Sequence, residues 1–253
     1  LVLSGGGARG AAHVGVLKVL EEYRVPVDCI AGTSMGSLVG AAYASGMTLD
    51  EMDVILGSIS TELLFRETPP RQELALRRKT DDYTILSTPE VGLDNGSLSF
   101  GKGIVTGVQL ETVLRQLSKA KGFYEFDELP IPYRAVATDL VTGKAVVFKE
   151  GELANVMRAS MSVPGAVAPA EFDGMLLVDG MLTSNLPVQT AREMGADVVI
   201  AVNVGTPLLK REQLNSIFGV SGQMLSILTE QNVKESLASL GPDDILISPE
   251  LGD

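Results

Sequence analysis

A tight turn between an apolar run and a run of small residues constrains this chain more than any other feature. The turn is Gly-Thr-Ser-Met-Gly at residues 32–36. Residues 29–32 predict a short strand before it, and residues 37–45 predict a helix packed closely against a sheet. In this setting a Gly-x-Ser-x-Gly turn is typical of a nucleophile elbow, which holds a serine in strained backbone. Ser34 is therefore a candidate nucleophile; the alternative is that it only caps the following helix.

Short β-branched runs alternate with longer helical patterns along most of the chain. Such alternation favours an α/β sandwich with a mainly parallel central sheet. The length of 253 residues fits one large domain, residues 1–253. The predicted strands are residues 1–4, 29–32, 133–138, 145–148, 176–178 and 197–204, the last of them fully buried, and the predicted helices are residues 11–23, 37–45 and 213–240.

Two segments depart from simple alternation. Residues 66–102 are polar, weakly periodic and rich in Pro, Gly, Thr and Asp, which is usual for a functional lid or a mobile insertion. Residues 213–240 carry an apolar stripe at helical spacing, which predicts one or two amphipathic helices used for core packing or a subunit contact, with membrane contact as the alternative. The chain begins without Met inside a strand-like run, so we expect a fragment of a longer protein.

The chain is acidic, with a net charge of −12. This charge argues against nucleic acid as a partner, because phosphate binding needs clustered Lys and Arg. No apolar run is long enough to predict a membrane-spanning helix, and the single cysteine, Cys29, excludes an internal disulfide. A dense basic cluster is formed by Arg71, Arg77, Arg78 and Lys79. It predicts either contact with anionic lipid or a solvated helix face.

The glycine loop, Gly-Gly-Gly-Ala-Arg-Gly at residues 5–10, follows the first predicted strand and opens a helix. It matches the Gly-x-Gly-x-x-Gly fingerprint of dinucleotide sites, which also needs an acidic residue at the far end of the second strand. Asp28 lies at the near end of that strand, which disfavours a cofactor. The loop also suits an oxyanion, because glycines let main-chain N–H groups approach without a Cβ in the way. Arg9 either adds positive charge there or braces the loop.

Two kinds of base could activate Ser34. A histidine triad is disfavoured, because His13 is the only histidine and precedes the serine, whereas in triad hydrolases with this turn it follows. We expect His13 to pack or to brace the glycine loop. A buried aspartate can take the proton directly, since burial raises its pKa toward the working range of a general base. Asp179 ends an apolar strand and is the strongest candidate, Asp139 also ends a strand, and Asp173 fits a hairpin turn.

Together these motifs resemble those of the patatin-like phospholipase family. The resemblance rests on the glycine loop, the turn at residues 32–36 and Asp179-Gly180, and it covers about residues 1–205. Three motifs in the same order and spacing make chance agreement improbable. Met181 departs from the family pattern, because many members have Gly or Ala at this position. Further matches to the family are residues 137–139, Pro164 and Pro169 within residues 159–169, Asn185 and Pro187.

The resemblance implies a three-layer sandwich and a Ser–Asp dyad, with Ser34 as the nucleophile and Asp179 as the base. It implies a phospholipase A that cleaves fatty-acyl esters of glycerophospholipids through an acyl-serine intermediate, with no metal or cofactor. The alternatives are a general carboxylesterase or thioesterase, and a nucleotide-binding module that uses the glycine loop. The implied oxyanion-hole residues are Gly5, Gly6, Gly7, Ala8 and Arg9, with the amides of Gly6, Gly7 and Ala8 as donors.

Within the family, the chain is most similar to bacterial members, especially the secreted PlpD-type passenger domains of type Vd secretion. Those domains precede a POTRA module and an outer-membrane β-barrel, so we expect such domains to follow in the full-length chain. The resemblance implies a secreted or cell-surface protein that meets phospholipid at a membrane, with a cytoplasmic protein as the alternative. The C-terminal helices also lead us to expect a homodimer.

Overall fold

A computed structural model of the protein describes residues 1–58, 91–94, 97–100, 108–119 and 121–251. The strands in these ranges are β1 (Val2–Leu3), β2 (Ile30–Thr33), β3 (Val91–Asp94), β4 (Ser97–Phe100), β5 (Phe123–Glu125), β6 (Tyr133–Asp139), β7 (Ala145–Phe148), β8 (Glu150–Glu152), β9 (Ala170–Phe172), β10 (Met175–Asp179), β11 (Ile200–Val202) and β12 (Ile245–Ile247). The α-helices are α1 (Ala12–Glu22), α2 (Met35–Ala44), α3 (Leu49–Ser58), α4 (Val108–Leu117), α5 (Leu153–Ser160), α6 (Val188–Glu193) and α7 (Ile217–Ala238).

One mixed sheet contains eight of the described strands, in the order β12-β11-β1-β2-β6-β10-β9, with β7 also paired to β6. Neighbours from β12 to β6 are parallel, whereas β7, β9 and β10 pair antiparallel. This confirms the predicted α/β fold with a mainly parallel central sheet. Strands β9 and β10 form a hairpin through Asp173 and Gly174, both at positive φ, where the sequence predicted a turn. The pairs β3–β4 and β5–β8 form separate small sheets.

The short central strands divide the core between the two faces of the sheet. Leu3 and Ile30 point into a large cluster that includes residues of α1 to α5, whereas Val2 and Ala31 join a smaller cluster with residues of α6 and α7. Successive side chains of a strand face opposite sides, so each strand contributes to both clusters. Helices on both faces bury these strands, which is why the sequence shows them as continuous apolar runs.

Helix α2 lies close to the sheet because its residues are small. A Cβ at Gly40 would come within 2.9 Å of the Ile30 Cγ2 atom. The Tyr133 hydroxyl donates to the main-chain carbonyl of Ser37 at 2.8 Å, which ties the helix to β6. The predicted helix is therefore present, and it begins at Met35, directly after the candidate nucleophile.

Several predicted boundaries differ from the structure. Strand β11 covers only the middle of predicted strand 197–204, and Val198 is 53% exposed because the chain enters the sheet only at Ile200, so the expected full burial is wrong there. Residues 213–240 contain one long helix, α7, which runs from Ile217 to Ala238. The proposed lid, residues 66–102, lies outside the described residues except for β3 and β4, and so does the basic cluster. No helix in the described ranges is long and apolar enough to cross a bilayer.

Strand β6 brings together the ends of two other strands on one edge, opposite the edge that pairs with β7. Thr33, the last residue of β2, lies opposite Val136, and Asp179, the last residue of β10, lies opposite Ala137. Because β2 is parallel and β10 antiparallel to β6, their carboxyl ends meet head to head at neighbouring positions. This junction places Ser34, the residue after β2, next to Asp179.

Candidate active site

Ser34 occupies the turn between β2 and α2 in a backbone conformation that non-glycine residues rarely adopt. Its φ is +53° and its ψ is −122°, a strained combination for an L-residue. The flanking glycines allow the turn: a Cβ at Gly32 would lie 2.4 Å from the Gly36 carbonyl oxygen, and one at Gly36 would lie 2.2 Å from that of Leu3. Ser34 stands at the N-cap position of α2, yet its side chain makes no capping hydrogen bond. The turn therefore has the geometry of a nucleophile elbow.

The Ser34 hydroxyl donates a hydrogen bond to the Asp179 carboxylate, with 2.6 Å between Oγ and Oδ2. Asp179 is fully buried, and its Oδ1 atom accepts from the main-chain N–H of Met181 at 2.8 Å. Burial raises the pKa of Asp179 to about 7, although both hydrogen bonds act to lower it. A carboxylate with a pKa near neutrality can ionise at physiological pH and still accept a proton from a hydroxyl.

Ser160, the last residue of α5, holds the strained turn through its hydroxyl. Its Oγ atom accepts the main-chain N–H of Ser34 at 2.9 Å and donates to the Val136 carbonyl at 2.6 Å. Ser160 is fully buried, so it satisfies an N–H that would otherwise cost free energy as a buried, unpaired donor. No motif in the sequence predicts a role for Ser160. Its one signal was its place in residues 159–169, which match the family pattern.

Two amides of the glycine loop already donate within the protein. The Gly5 N–H donates to the Asn185 carbonyl at 3.1 Å, and the Arg9 N–H donates to the Gly6 carbonyl at 3.2 Å. The Asn185 side-chain amide returns a hydrogen bond to the Gly5 carbonyl at 3.3 Å. Of the predicted oxyanion-hole residues, Gly5 and Arg9 therefore serve the loop's own conformation through their main-chain N–H groups.

The loop passes directly beside the serine. A Cβ added at Gly5 would lie 3.0 Å from the Ser34 Cβ. Gly7 has a φ of +56°, a conformation that favours glycine, and it starts the 3-10 turn Gly7–Ala11 that leads into α1. The predicted oxyanion donors, the amides of Gly6, Gly7 and Ala8, lie in this part of the loop, where the chain enters a helix.

Helix α7 is fastened to the segment after Asp179, and Asn185 of that segment is bonded in turn to Gly5 of the glycine loop. The Asn232 Oδ1 atom accepts the main-chain N–H of Asn185 at 2.9 Å, and its Nδ2 atom donates to the Met181 carbonyl at 2.8 Å. The Thr229 hydroxyl oxygen lies 3.2 Å from the same carbonyl oxygen and 2.9 Å from that of Leu225, one turn earlier in α7. Asn232 was not found from sequence, because one Asn in an amphipathic helix has no distinguishing pattern.

A cleft of about 630 Å³ opens beside Ser34 and Asp179, a volume within the usual range of small-molecule sites. The glycine loop, the loop after β11 and helix α7 form its walls. Met181, the residue that departs from the family pattern, lines the cleft. The remaining lining residues are Gly5, Gly6, Gly7, Arg9, Val163, Asn185, Asn203, Gly205, Thr206, Pro207, Leu208, Ser226, Thr229, Glu230 and Val233.

His13 lies behind the glycine loop, away from the cleft. It is fully buried in α1, and its Nε2 atom lies 2.8 Å from the Ser4 carbonyl oxygen. A carbonyl only accepts, so Nε2 carries the proton in this contact. Burial lowers the pKa of His13 to about 4, which keeps the ring neutral. His13 thus braces Ser4, the residue just before the glycine loop. The Ser34 hydroxyl donates to Asp179 and not to His13.

Asp139, the second candidate base, belongs to the turn between β6 and β7. Its carboxylate accepts from the Val141 N–H at 3.1 Å and from the Thr142 hydroxyl at 2.6 Å. These hydrogen bonds, that of Thr142 most strongly, hold the pKa of Asp139 below its ordinary value. A carboxylate committed to a turn in its ionised form is poorly suited to accept a proton from Ser34.

Among the described residues, Asp28 is not placed where a bound dinucleotide would need an acidic group. Asp28 is exposed before the start of β2, at the opposite end of the strand from Ser34. Within the described ranges, no three His, Cys, Asp or Glu side chains are grouped so as to hold a metal ion.

The family model described as patatin-like phospholipase matches residues 1–192, which is more than half of the chain. This chain belongs to the patatin-like phospholipase family. The patatin-like match includes the glycine loop, the elbow and the strand that ends in Asp179, and it stops before α7. The predicted family is confirmed. The PlpD-type subtype, the following POTRA and barrel domains, the homodimer and the cell-surface location stay predictions.

Patatin-like relatives occur in bacteria and mammals. An uncharacterized NTE family protein of Mycobacterium tuberculosis is 36% identical over 204 residues, which cover 81% of this chain and 48% of the relative. Patatin-like phospholipase domain-containing protein 6 of Homo sapiens is 37% identical over 208 residues, which cover 81% of this chain and 13% of the human protein. The chain thus spans about half the length of the mycobacterial relative. The structure of VipD from Legionella pneumophila shares the fold, with a TM-score of 0.50, 14% identity, and coverage of 97% of this chain and 60% of that chain.

Proposed function

We propose that this protein is a lipid acyl hydrolase of the phospholipase A type, which cleaves fatty-acyl esters of glycerophospholipids through an acyl-Ser34 intermediate. The observation that carries the proposal is the 2.6 Å hydrogen bond from Ser34 Oγ to Oδ2 of the buried Asp179. Membership of a family described as patatin-like phospholipases supports a lipid ester as the substrate. The cleft beside the serine supports an extended, partly apolar ligand, because Val163, Met181 and Val233 line it.

Acylation begins when Ser34 Oγ attacks the ester carbonyl carbon. As that C–O bond forms, the hydroxyl proton passes to Asp179 Oδ2, and the carbonyl oxygen becomes an oxyanion. The oxyanion then collapses, the bond to the glycerol oxygen breaks, and the proton on Asp179 passes to that oxygen as the lysophospholipid leaves. Water then attacks the acyl-serine while Asp179 takes its proton. The fatty acid leaves, and Ser34 regains its hydroxyl proton from Asp179.

The glycine loop stabilises the oxyanion in this proposal. The amides of Gly6, Gly7 and Ala8 are its donors, and donors fixed before the substrate binds need no reorganisation during the reaction. Helix α2 starts directly after Ser34, and the loop leads into α1. Both helices therefore present their positive N-terminal ends toward this part of the molecule, which favours developing negative charge.

The substrate class is tested with a phosphatidylcholine that carries different acyl chains at sn-1 and sn-2. We expect the enzyme to release one fatty acid and one lysophospholipid, identified by mass spectrometry, and we expect vesicles to be hydrolysed faster than monomeric short-chain esters. Ser34→Ala protein prepared in parallel is the control for contaminating hydrolases. Hydrolysis restricted to short monomeric esters or thioesters, with no lysophospholipid formed, would contradict the lipid assignment and favour a general esterase.

Ser160→Ala is expected to reduce both turnover and stability. The substitution leaves the buried Ser34 N–H without its acceptor, which costs about 1–3 kcal/mol of unfolding free energy. It also releases the strained turn, and a nucleophile displaced by about 1 Å loses on the order of a hundredfold in kcat. Because Ser160 lies behind the main chain, we expect KM to change little. Steady-state kinetics and denaturant unfolding measure the two effects.

Ser162→Ala is the matched control for this prediction. Ser162 is also a fully buried serine, but among the described residues its hydroxyl bonds only with Arg158, donating to its carbonyl at 2.8 Å and accepting from its guanidinium. We expect this variant to lose stability and to keep its kcat. Equal losses of kcat in the two variants would show that Ser160 has no specific role in positioning Ser34.

A further inference from the structure

The first half of α7 exposes a row of four apolar side chains, called here the outer stripe. Val220, Met224, Ile227 and Leu228 are 47%, 61%, 42% and 48% exposed. Their spacing places them on one face of the helix. A single exposed apolar residue is ordinary, but a contiguous row marks a surface that meets another apolar surface.

The charge distribution along α7 indicates which kind of surface that is. Residues 214–229 contain no Asp, Glu, Lys or Arg, in a chain that is 21% charged with a net charge of −12. Beyond the stripe the exposed face continues as Gln231, Lys234 and Glu235. Charged groups are costly in hydrocarbon, whereas protein interfaces usually have charged and polar rims. The uncharged first half of α7 can therefore meet hydrocarbon at a lower free-energy cost than its charged second half.

The outer stripe also borders the cleft. The same helix lines the cleft with Thr229, Glu230 and Val233 on the side next to the stripe. Across the cleft, Leu208 lines it as well and is 43% exposed. A surface that covered the stripe would therefore reach the side of α7 that lines the cleft, where Val233 is apolar and Thr229 and Glu230 are polar.

We propose that the outer stripe docks on the surface of a phospholipid membrane and brings the cleft to its lipids. This inference rests on the proposed function, because a lipid substrate explains why the cleft and the stripe adjoin. Docking is driven by apolar burial, since the stripe has no charge and the chain as a whole is acidic. Binding to zwitterionic vesicles is therefore expected to persist at high salt, which screens charge but not apolar contact.

The test measures flotation of Ser34→Ala protein with phosphatidylcholine vesicles, so that binding is recorded without hydrolysis. In this background Met224→Glu is expected to weaken vesicle binding about tenfold or more, because an apolar side chain loses its burial and a charge meets the lipid. Gln231→Glu is the matched control: it adds the same charge on the same exposed face, beyond the stripe, and should bind as the parent does. In the active protein, Met224→Glu should lower hydrolysis of vesicles and leave hydrolysis of monomeric esters unchanged.

Three results would overturn the docking surface. One is equal flotation of the Met224→Glu and parent proteins. Another is binding that requires anionic lipid and disappears at high salt. The third is a dimer in light scattering that Met224→Glu dissociates while vesicles bind neither form, since the stripe would then join two copies of the chain. Failure of the proposed function is separate: the protein would float with vesicles through the stripe but release no fatty acid from any phospholipid.

Discussion

Ser34→Ala is expected to abolish ester hydrolysis and leave the fold intact. The substitution removes the atom that forms the acyl bond, and losses of catalytic serines lower kcat by at least about four orders of magnitude. Alanine can replace serine here with little structural cost, because the positive φ strains both residues alike and the Oγ atom bonds only to Asp179 Oδ2. Activity is measured on phospholipid vesicles and short esters, and the fold by circular dichroism and thermal unfolding.

A fluorophosphonate probe gives an independent readout of the same residue. Only an activated serine reacts with it, so the wild-type chain should carry the label on the peptide that contains Ser34, and the Ser34→Ala protein should carry none. Ser45→Ala is the control at the other end of α2, where the hydroxyl donates to the Ala42 carbonyl at 2.9 Å. It should label and turn over normally. A Ser34→Ala protein that keeps most of its activity after removal of contaminating hydrolases would contradict the dyad.

Asp179→Asn is expected to be nearly as inactive, with kcat lowered on the order of ten-thousandfold. The amide is close to the carboxylate in shape but cannot take the Ser34 proton. In the wild-type enzyme, kcat/KM should rise with pH through about 7, because the raised pKa of Asp179 delays formation of the ionised base. A kcat/KM that stays constant between about pH 5 and pH 9 would contradict this role.

The same substitution should change how stability depends on pH. The folded-state pKa of Asp179, about 7, lies above its ordinary value of 3.8. The folded protein therefore binds the proton more tightly than the unfolded chain, and wild-type stability falls as pH rises through 7. Asparagine does not ionise, so the variant does not lose stability in this way as the pH rises. Denaturant unfolding should show Asp179→Asn gaining stability relative to wild type between pH 5 and pH 8.

Asp139→Asn is the matched control, because the pKa of Asp139 is shifted in the opposite direction from that of Asp179. Its pKa is lowered by Thr142 and Val141, so its ionised form contributes stability above the ordinary pKa and loses it as pH falls. Asp139→Asn should therefore destabilise the protein most at neutral pH while keeping full turnover. The same pH dependence of stability in both variants would show that Asp179 is not a carboxylate with a raised pKa.

Local patterns in the sequence were sufficient for the elbow and for the general fold. A Gly-x-Ser-x-Gly turn is five adjacent residues, and Gly32 is required by the Gly36 carbonyl within it, although Gly36 is required by the Leu3 carbonyl of β1. The alternation of apolar runs and helical patterns likewise follows from burial on both faces of a sheet. Strand ends were less certain, as at Val198, because they depend on which neighbour the strand pairs with.

The sequence made Asp179 the strongest candidate base and the family resemblance implied it, and the tertiary structure shows why Asp179 and not Asp139 meets Ser34. Asp139 and Asp179 both end strands of the sequence, and their spacing from Ser34 did not separate them. The strand register separates the two aspartates. Strand β10 ends opposite Ala137, beside the end of β2, so Asp179 lies next to Ser34, which is 145 residues away in sequence. Asp139 lies at the end of β6, where its carboxylate closes a local turn.

The serine was thus determined by its immediate neighbours, whereas its environment was assembled from distant segments. Ser160 reaches the Ser34 amide from a helix 126 residues away, and Asn232 of α7 is bonded to Asn185 and Met181. A turn is encoded locally because its backbone angles and close contacts involve adjacent residues. A buried hydrogen bond between segments carries no such pattern, since any serine or asparagine brought there by sheet register and helix packing can form it.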